Sequence, residues 1–149
     1  MKTRRNILTG RRPTKKRGYR GGKRAAAAPS AFVPTFLHML NTVKLYHWKT
    51  TSFSTHKATD DLYATLNEKI DEFVEVLLGK REMGGRAKLL NVPLIKLSMY
   101  SNNEAFTKQI ESYKDFLVAL NENLGSDLLA IRDELLAAFN KFLYLLSLK

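Results

Sequence analysis

Apolar side chains recur at spacings of three and four residues in four successive stretches of the chain, and this periodicity constrains the fold most. The first stretch begins near Pro34, the second ends near Gly79, and a capping-box pattern opens at Ser101 before the third. Gly125 separates the third stretch from the fourth. The repeating residues are Phe36, Leu40, Val43 and His47; Leu62, Leu66, Ile70, Phe73 and Leu77; Phe106, Ile110, Tyr113, Leu117, Leu120 and Leu124; and Leu128, Leu135, Phe139, Phe142 and Leu146. The apolar periodicity of residues 30–149 therefore predicts an all-α domain. The expected form is a four-helix bundle with a long connector between its second and third helices.

Positive charge is concentrated at the beginning of the chain. The sequence has 149 residues and a formal net charge of +11, and its first 24 residues hold eleven Lys or Arg side chains and no acid. These cations are Lys2, Arg4, Arg5, Arg11, Arg12, Lys15, Lys16, Arg17, Arg20, Lys23 and Arg24. The remaining residues carry 14 basic and 14 acidic side chains. Because a cationic, glycine-rich segment buries too little apolar surface to order itself, residues 1–29 predict a disordered basic N-terminal arm.

Such an arm favours a polyanionic partner. Lys and Arg bind the phosphates of DNA without sequence specificity, and a solubility tail or a mitochondrial or nuclear targeting peptide is the alternative. No apolar segment follows the charges, so the cytoplasm, the nucleoid or a virion is favoured over secretion. No apolar run reaches the roughly 18 residues of a membrane span, and none is predicted. The chain has no cysteine, which excludes disulfides and thiolate metal ligands.

Four potential metal ligands share one face of the second predicted helix. At about 100° per residue, His56, Asp60, Asp71 and Glu75 fall within an arc of roughly 100°, directed away from the apolar stripe. The first and last of them are about 28 Å apart along the axis, so one ion cannot bind both from one chain. Two antiparallel copies around a two-fold axis would bring the opposite ends together and form two identical sites, with His47 as a further ligand. Imidazole and carboxylate ligands suit iron, zinc or manganese. The alternative is a hydrogen-bonded core His47 with solvated carboxylates.

The segment YHWKTTSFSTHKATDDLYATLNEKIDEFVE, residues 46–75, resembles the signature segment of the Dps family, the mini-ferritins known as DNA-binding proteins from starved cells. The matching residues are His47-Trp48, His56, Asp60, Asp71-Glu72 and Glu75. The last segment, GSDLLAIRDELLAAFNKFLYLLSLK, resembles the last helix of that family. The loop between His47 and His56 is shorter than in the family, and the connector is basic rather than acidic.

This resemblance implies a ferritin-like fold and an iron-oxidising ferroxidase centre between subunits. His47, His56 and Asp60 would come from one subunit, and Asp71 and Glu75 from its two-fold mate. The resemblance also implies iron as the metal and a homo-oligomer that assembles through a two-fold helix interface into a hollow, possibly dodecameric shell. The basic arm would then bind DNA.

The arm supports a second interpretation as well. It resembles the leading segments of structural proteins from large double-stranded DNA viruses. That resemblance implies a non-enzymatic assembly protein, such as a minor capsid protein, in which the helices serve as a block. The arm would act as a staple between neighbouring capsid proteins, and the histidines would be structural groups.

Overall fold

Helix is the only regular secondary structure in residues 28–120 and 122–148, which are the residues that the structure, a computed structural model, describes. The helices are α1 (Phe32–Lys49), α2 (Phe53–Gly79), α3 (Met83–Leu89), α4 (Asn103–Val118) and α5 (Ser126–Ser147). Short 3-10 turns, Pro29–Ala31 and Glu122–Leu124, precede α1 and α5. The all-α prediction is confirmed for this part of the chain. The eleven cations of the predicted arm lie outside the described residues.

The core forms where the apolar stripes of the four long helices meet. α2 packs against both α1 and α5, and α5 also packs against α4. Aromatic side chains join α1 to α4, with the rings of Phe36 and Phe116 centred 5.9 Å apart. All five predicted stripe residues of α2 are buried, and Phe36, Phe106 and Phe139 are fully buried in the other helices. The helical periodicity of the sequence therefore predicted the side of each long helix that faces the core.

Lys69 joins α2 to α5 through an ion pair on the side of α2 opposite Asp71. Its ammonium lies 2.7 Å from Glu134 on α5 and 3.0 Å from Glu72. The hydrogen bond to Glu134 raises the pKa of Lys69 most, and the hydrogen bond to Glu72 raises it further. Asp71 lies about 160° from Lys69 on the helical wheel, so the contact with α5 leaves Asp71 facing solvent. The acidic face of α2 is therefore held outward by packing on the opposite side.

Three helix boundaries differ from those predicted. α1 begins at Phe32, which places Pro34 in the first turn, where a missing N–H breaks no helical hydrogen bond. The N-cap of α4 is Asn102, whose side chain accepts a hydrogen bond of 2.9 Å from the backbone N–H of Ala105, so a cap at Ser101 is wrong. α4 ends at Val118, and a 3-10 turn replaces its expected last turn. The long connector also contains the short helix α3.

Gly125 sets the junction between α4 and α5. Its φ of 91° and ψ of 156° belong to a backbone region that only glycine adopts readily. A Cβ at this position would lie 3.0 Å from both Asp127 Oδ1 and Lys80 Nζ, which form an ion pair of 2.6 Å. The hydrogen bond from Lys80 holds the pKa of Asp127 below its usual value. The turn therefore requires a residue without a side chain.

We expect Gly125→Ala to destabilise the protein by about 1–3 kcal/mol, because it combines backbone strain with a disturbed ion pair. Denaturant unfolding followed by circular dichroism measures the change. Gly84→Ala is the matched control, since a Cβ there has no neighbour within 4 Å and Gly84 lies inside α3. The control should be neutral or slightly stabilising. Equal stability of the two variants would contradict the structural role of Gly125.

No helix within the described ranges is both long enough and apolar enough to cross a membrane, in agreement with the prediction.

Candidate metal centre

The turn between α1 and α2 brings two predicted ligands together. His47 lies in the last turn of α1, and His56 lies in the first turn of α2. Thr50 ends α1 in an extended conformation, and the side chain of Ser52 caps α2 by accepting a hydrogen bond of 3.3 Å from the N–H of Thr55. The short turn therefore brings the two histidines together. The centroids of their rings are 3.9 Å apart, with planes inclined by 26°.

The two histidines hold each other through reciprocal hydrogen bonds to the backbone. Nδ1 of His47 lies 3.1 Å from the carbonyl oxygen of His56, and Nδ1 of His56 lies 3.0 Å from the carbonyl oxygen of His47. A carbonyl oxygen only accepts hydrogen bonds, so each Nδ1 must carry the proton and donate it. In the neutral ring, Nε2 then keeps its lone pair. This is the tautomer and orientation in which a histidine binds a metal through Nε2.

Thr59 reinforces the orientation of His47. Its hydroxyl lies 2.8 Å from the carbonyl oxygen of Thr55 and 2.9 Å from that of His56, and it can donate to one of them. The hydroxyl oxygen is also 3.3 Å from Nδ1 of His47 and accepts from it. Thr59 is fully buried and His47 is nearly so. The ring of His47 is therefore fixed by a hydrogen-bonded shell.

Asp60 is the carboxylate beside this pair. Its Oδ1 lies 3.9 Å from Nε2 of His47, which is beyond hydrogen-bond distance. With the proton on Nδ1, Nε2 is the ring nitrogen that can accept a proton or bind a metal, and the carboxylate oxygens of Asp60 are also acceptors. Two acceptors that face each other across such a gap are stabilised by a cation or a proton between them. The side chain of Asp60 is 51 % exposed, so this position is open to solvent.

Asp71 and Glu75 lie far from the histidine pair on the same chain. Both are exposed on α2, as the sequence predicted. Fifteen residues separate His56 from Asp71, which corresponds to about 22 Å along the helix. Within residues 28–120 and 122–148, no group of three or more histidines and carboxylates is arranged to hold a metal ion. A single chain therefore presents two separate parts of the predicted ligand set.

The surface around the histidine pair is aromatic and partly apolar. Trp48 and Phe53 are largely exposed on either side of the turn. Lys44 Nζ lies 4.5 Å from the ring centroid of Tyr63 and 5.8 Å from that of Trp48. The turn therefore presents aromatic side chains to solvent close to the histidine pair.

Sequence reasoning missed the two residues that support this site, Thr59 and Lys44. Thr59 lies twelve residues from His47, and no local spacing predicts the hydrogen bond between them. Lys44 precedes Trp48 by one helical turn, so the i, i+4 rule could have identified that contact.

The third histidine has a structural partner. Nδ1 of His38 lies 2.7 Å from the hydroxyl of Tyr113 on α4. Burial raises the pKa of Tyr113, so its hydroxyl stays protonated through the neutral range. This contact joins α1 to α4 well away from the turn that holds the other two histidines.

The fold and this site define an all-helical protein with a paired-histidine turn and an outward acidic helix face. The chain belongs to a family described as "Family of unknown function (DUF5856)", which matches residues 47–146. The matched region begins at His47 and includes His56, Asp60, Asp71 and Glu75. Searches of curated proteins and of solved structures found no match.

Proposed function

We propose that this protein is a Dps-like mini-ferritin with a ferritin-like four-helix bundle, in which two subunits together bind and oxidise Fe(II). The observation that carries the proposal is the reciprocal pairing of His47 and His56 beside Asp60. Nε2 of His47 lies 3.9 Å from Oδ1 of Asp60, so an imidazole nitrogen and a carboxylate oxygen lie side by side. Here both rings are held in the metal-binding tautomer by backbone carbonyls.

The antiparallel arrangement of two subunits completes the ligand set. Asp71 and Glu75 face outward on α2 and are too distant to reach the histidines of their own chain. A two-fold axis across α2 would place them opposite the histidine pair of the partner and generate two sites per dimer. Val74 and Leu78 on α2 are partly buried against the core of their own chain, and exposed Trp48 offers apolar surface for such an interface.

Iron enters this proposal as the substrate. The carboxylates favour Fe(III) over Fe(II), and the imidazoles complete the coordination. Two Fe(II) ions lose one electron each to one molecule of hydrogen peroxide. The O–O bond breaks, and two protons are taken up to give two waters. Storage of the product would be a property of a closed shell built from many subunits.

The basic arm extends the proposal to DNA. Its eleven cations make no sequence-specific pattern, and the phosphates of a duplex are the partner that such charge favours. In an oligomer, several arms would bind one duplex together and raise the overall affinity.

The direct test is anaerobic loading with Fe(II) followed by peroxide, with the ferric absorbance recorded over time. We expect Asp71→Ala/Glu75→Ala to reduce the initial rate at least about 100-fold, because two ligands are lost. Glu111→Ala/Asp133→Ala is the matched control, since both acids are exposed on α4 and α5 and lie outside the predicted ligand set. Oxidation by the wild type no faster than in buffer would contradict the ferroxidase function.

A second candidate is favoured by the exposed apolar side chains of the connector. These residues are Met83, Leu90, Leu94, Leu97 and Met99. A surface of this kind is typical of a contact with another protein. It supports a non-enzymatic assembly role, such as that of a minor capsid protein whose arm joins its neighbours. Wild-type protein that oxidises no iron but assembles into particles with other capsid proteins would favour this candidate.

A further inference from the structure

The connector between α2 and α4 carries a local excess of positive charge. The connector from Lys80 to Tyr100 has five cations and one acid, Glu82. These cations are Lys80, Arg81, Arg86, Lys88 and Lys96. Most cations elsewhere in the described helices already bind carboxylates, such as Lys69, Lys108 and Lys114. Lys80 pairs with Asp127, and the other four cations of the connector have no carboxylate partner among the described residues.

Two of these cations line a hollow of about 210 Å³ at the C-terminal end of α2. Arg81 and Lys88 border it together with Gly85, Leu89 and the turn at Pro29 and Ser30. Neither Arg81 nor Lys88 makes an ion pair with any other described residue. Both are exposed, so a negatively charged group can reach them from solvent.

The walls of this hollow are held in place by specific contacts. Nε of Arg86 donates hydrogen bonds of 3.0 Å to the carbonyl oxygens of Leu78 and Arg81, which fastens α3 to the end of α2. Leu89 anchors the other end of α3 in the core. The stem of Arg81 lies over Gly85, where an added Cβ would be 3.5 Å from it. The cations therefore project from a fixed backbone.

The position of the hollow connects it to the basic arm. Pro29 and Ser30 form part of its wall, and Arg24 precedes Ala28 by only four residues. At most about 14 Å of extended chain separates those two residues. A DNA duplex carries one negative charge per about 1.7 Å of its axis, so a single duplex can contact the arm and the hollow at once.

We propose that the hollow between Arg81 and Lys88 binds a backbone phosphate of the same DNA duplex that the arm binds. This inference rests on the proposed DNA binding by the arm and adds a folded contact to it. The hollow would fix where the duplex leaves the arm and meets the helical domain. A contact of this kind supplies position rather than sequence specificity.

The test measures the binding of the full-length chain to a fluorescent mixed-sequence duplex by anisotropy at several salt concentrations. We expect Arg81→Gln/Lys88→Gln to reduce the slope of log K against log salt by about 0.9, the value for the loss of one phosphate contact. Lys57→Gln/Lys108→Gln removes the same charge and is the matched control. Lys57 lies about 33 Å along α2 from Gly79 and pairs with Asp61, so the control should keep the wild-type slope.

Three outcomes separate the inference from the proposed function. An unchanged slope for Arg81→Gln/Lys88→Gln would overturn the inference. If Lys23→Gln/Arg24→Gln lowered the slope in the same series, the proposal that the arm binds DNA would still stand. An equal fall of the slope in the control Lys57→Gln/Lys108→Gln would also overturn the inference, because net charge alone would then explain the effect. No binding of the duplex by the wild type would overturn both proposals.

Discussion

Replacement of Phe73 by alanine is expected to destabilise the protein by about 3–5 kcal/mol, close to the full stability of many domains of this size. Phe73 is 0 % exposed, and its ring makes edge contacts with Phe36 at 5.1 Å and with Phe32 at 6.2 Å. The truncation removes these two ring contacts between α1 and α2 and leaves a cavity that rigid neighbouring rings cannot fill. Chemical denaturation gives the free energy of unfolding, and Tm should fall by about 10 °C or more.

Phe53→Ala provides a control in the same helix. Phe53 is 82 % exposed at the start of α2, so the same truncation should change stability by less than about 0.5 kcal/mol. If Phe53→Ala were as destabilising as Phe73→Ala, the position of the core would be wrong. A large effect at Phe53 in an oligomer alone, absent from the monomer, would instead identify that ring as part of an interface.

The sequence predicted the core well because burial repeats with the period of the helix. Leu66, Phe73 and Leu77 recur on one side of α2, and all three are buried. The same periodicity could not locate the end of α4. Leu120 is buried after the helix has ended, so an apolar residue in the expected register does not require helical backbone. The choice of Asn102 over Ser101 as the cap depends on backbone angles that neither residue type specifies.

The candidate site was also predicted only in part from the sequence. The spacing of His56, Asp60 and Asp71 on one face of a helix follows from the sequence, and the structure keeps all three exposed. The pairing of His47 with His56 across the turn depends on the path of residues 50–52 between two helices. That turn brings the two rings together, with their centroids 3.9 Å apart. The hydrogen bond to Thr59 depends on that same path, so spacing alone could not have revealed it.

The predicted sharing of one site by two subunits is the central claim of the proposed function. It follows from the distance of about 22 Å between the histidine end and the acidic end of α2. In this arrangement, the histidine end and the acidic end of one α2 belong to two different sites. The partner chain completes each of these sites. Variants that damage opposite ends should therefore restore each other when they are combined.

The most direct test combines His56→Ala/Asp60→Ala with Asp71→Ala/Glu75→Ala and measures Fe(II) oxidation by peroxide. Each variant alone should be inactive, because every site in its dimers lacks part of the ligand set. In an equal mixture formed by co-expression, half of the dimers pair the two variants, and each of these has one intact site. The mixture should therefore recover about a quarter of the wild-type rate. No recovery in mixed dimers, or full activity of either variant alone, would contradict a site built from two subunits.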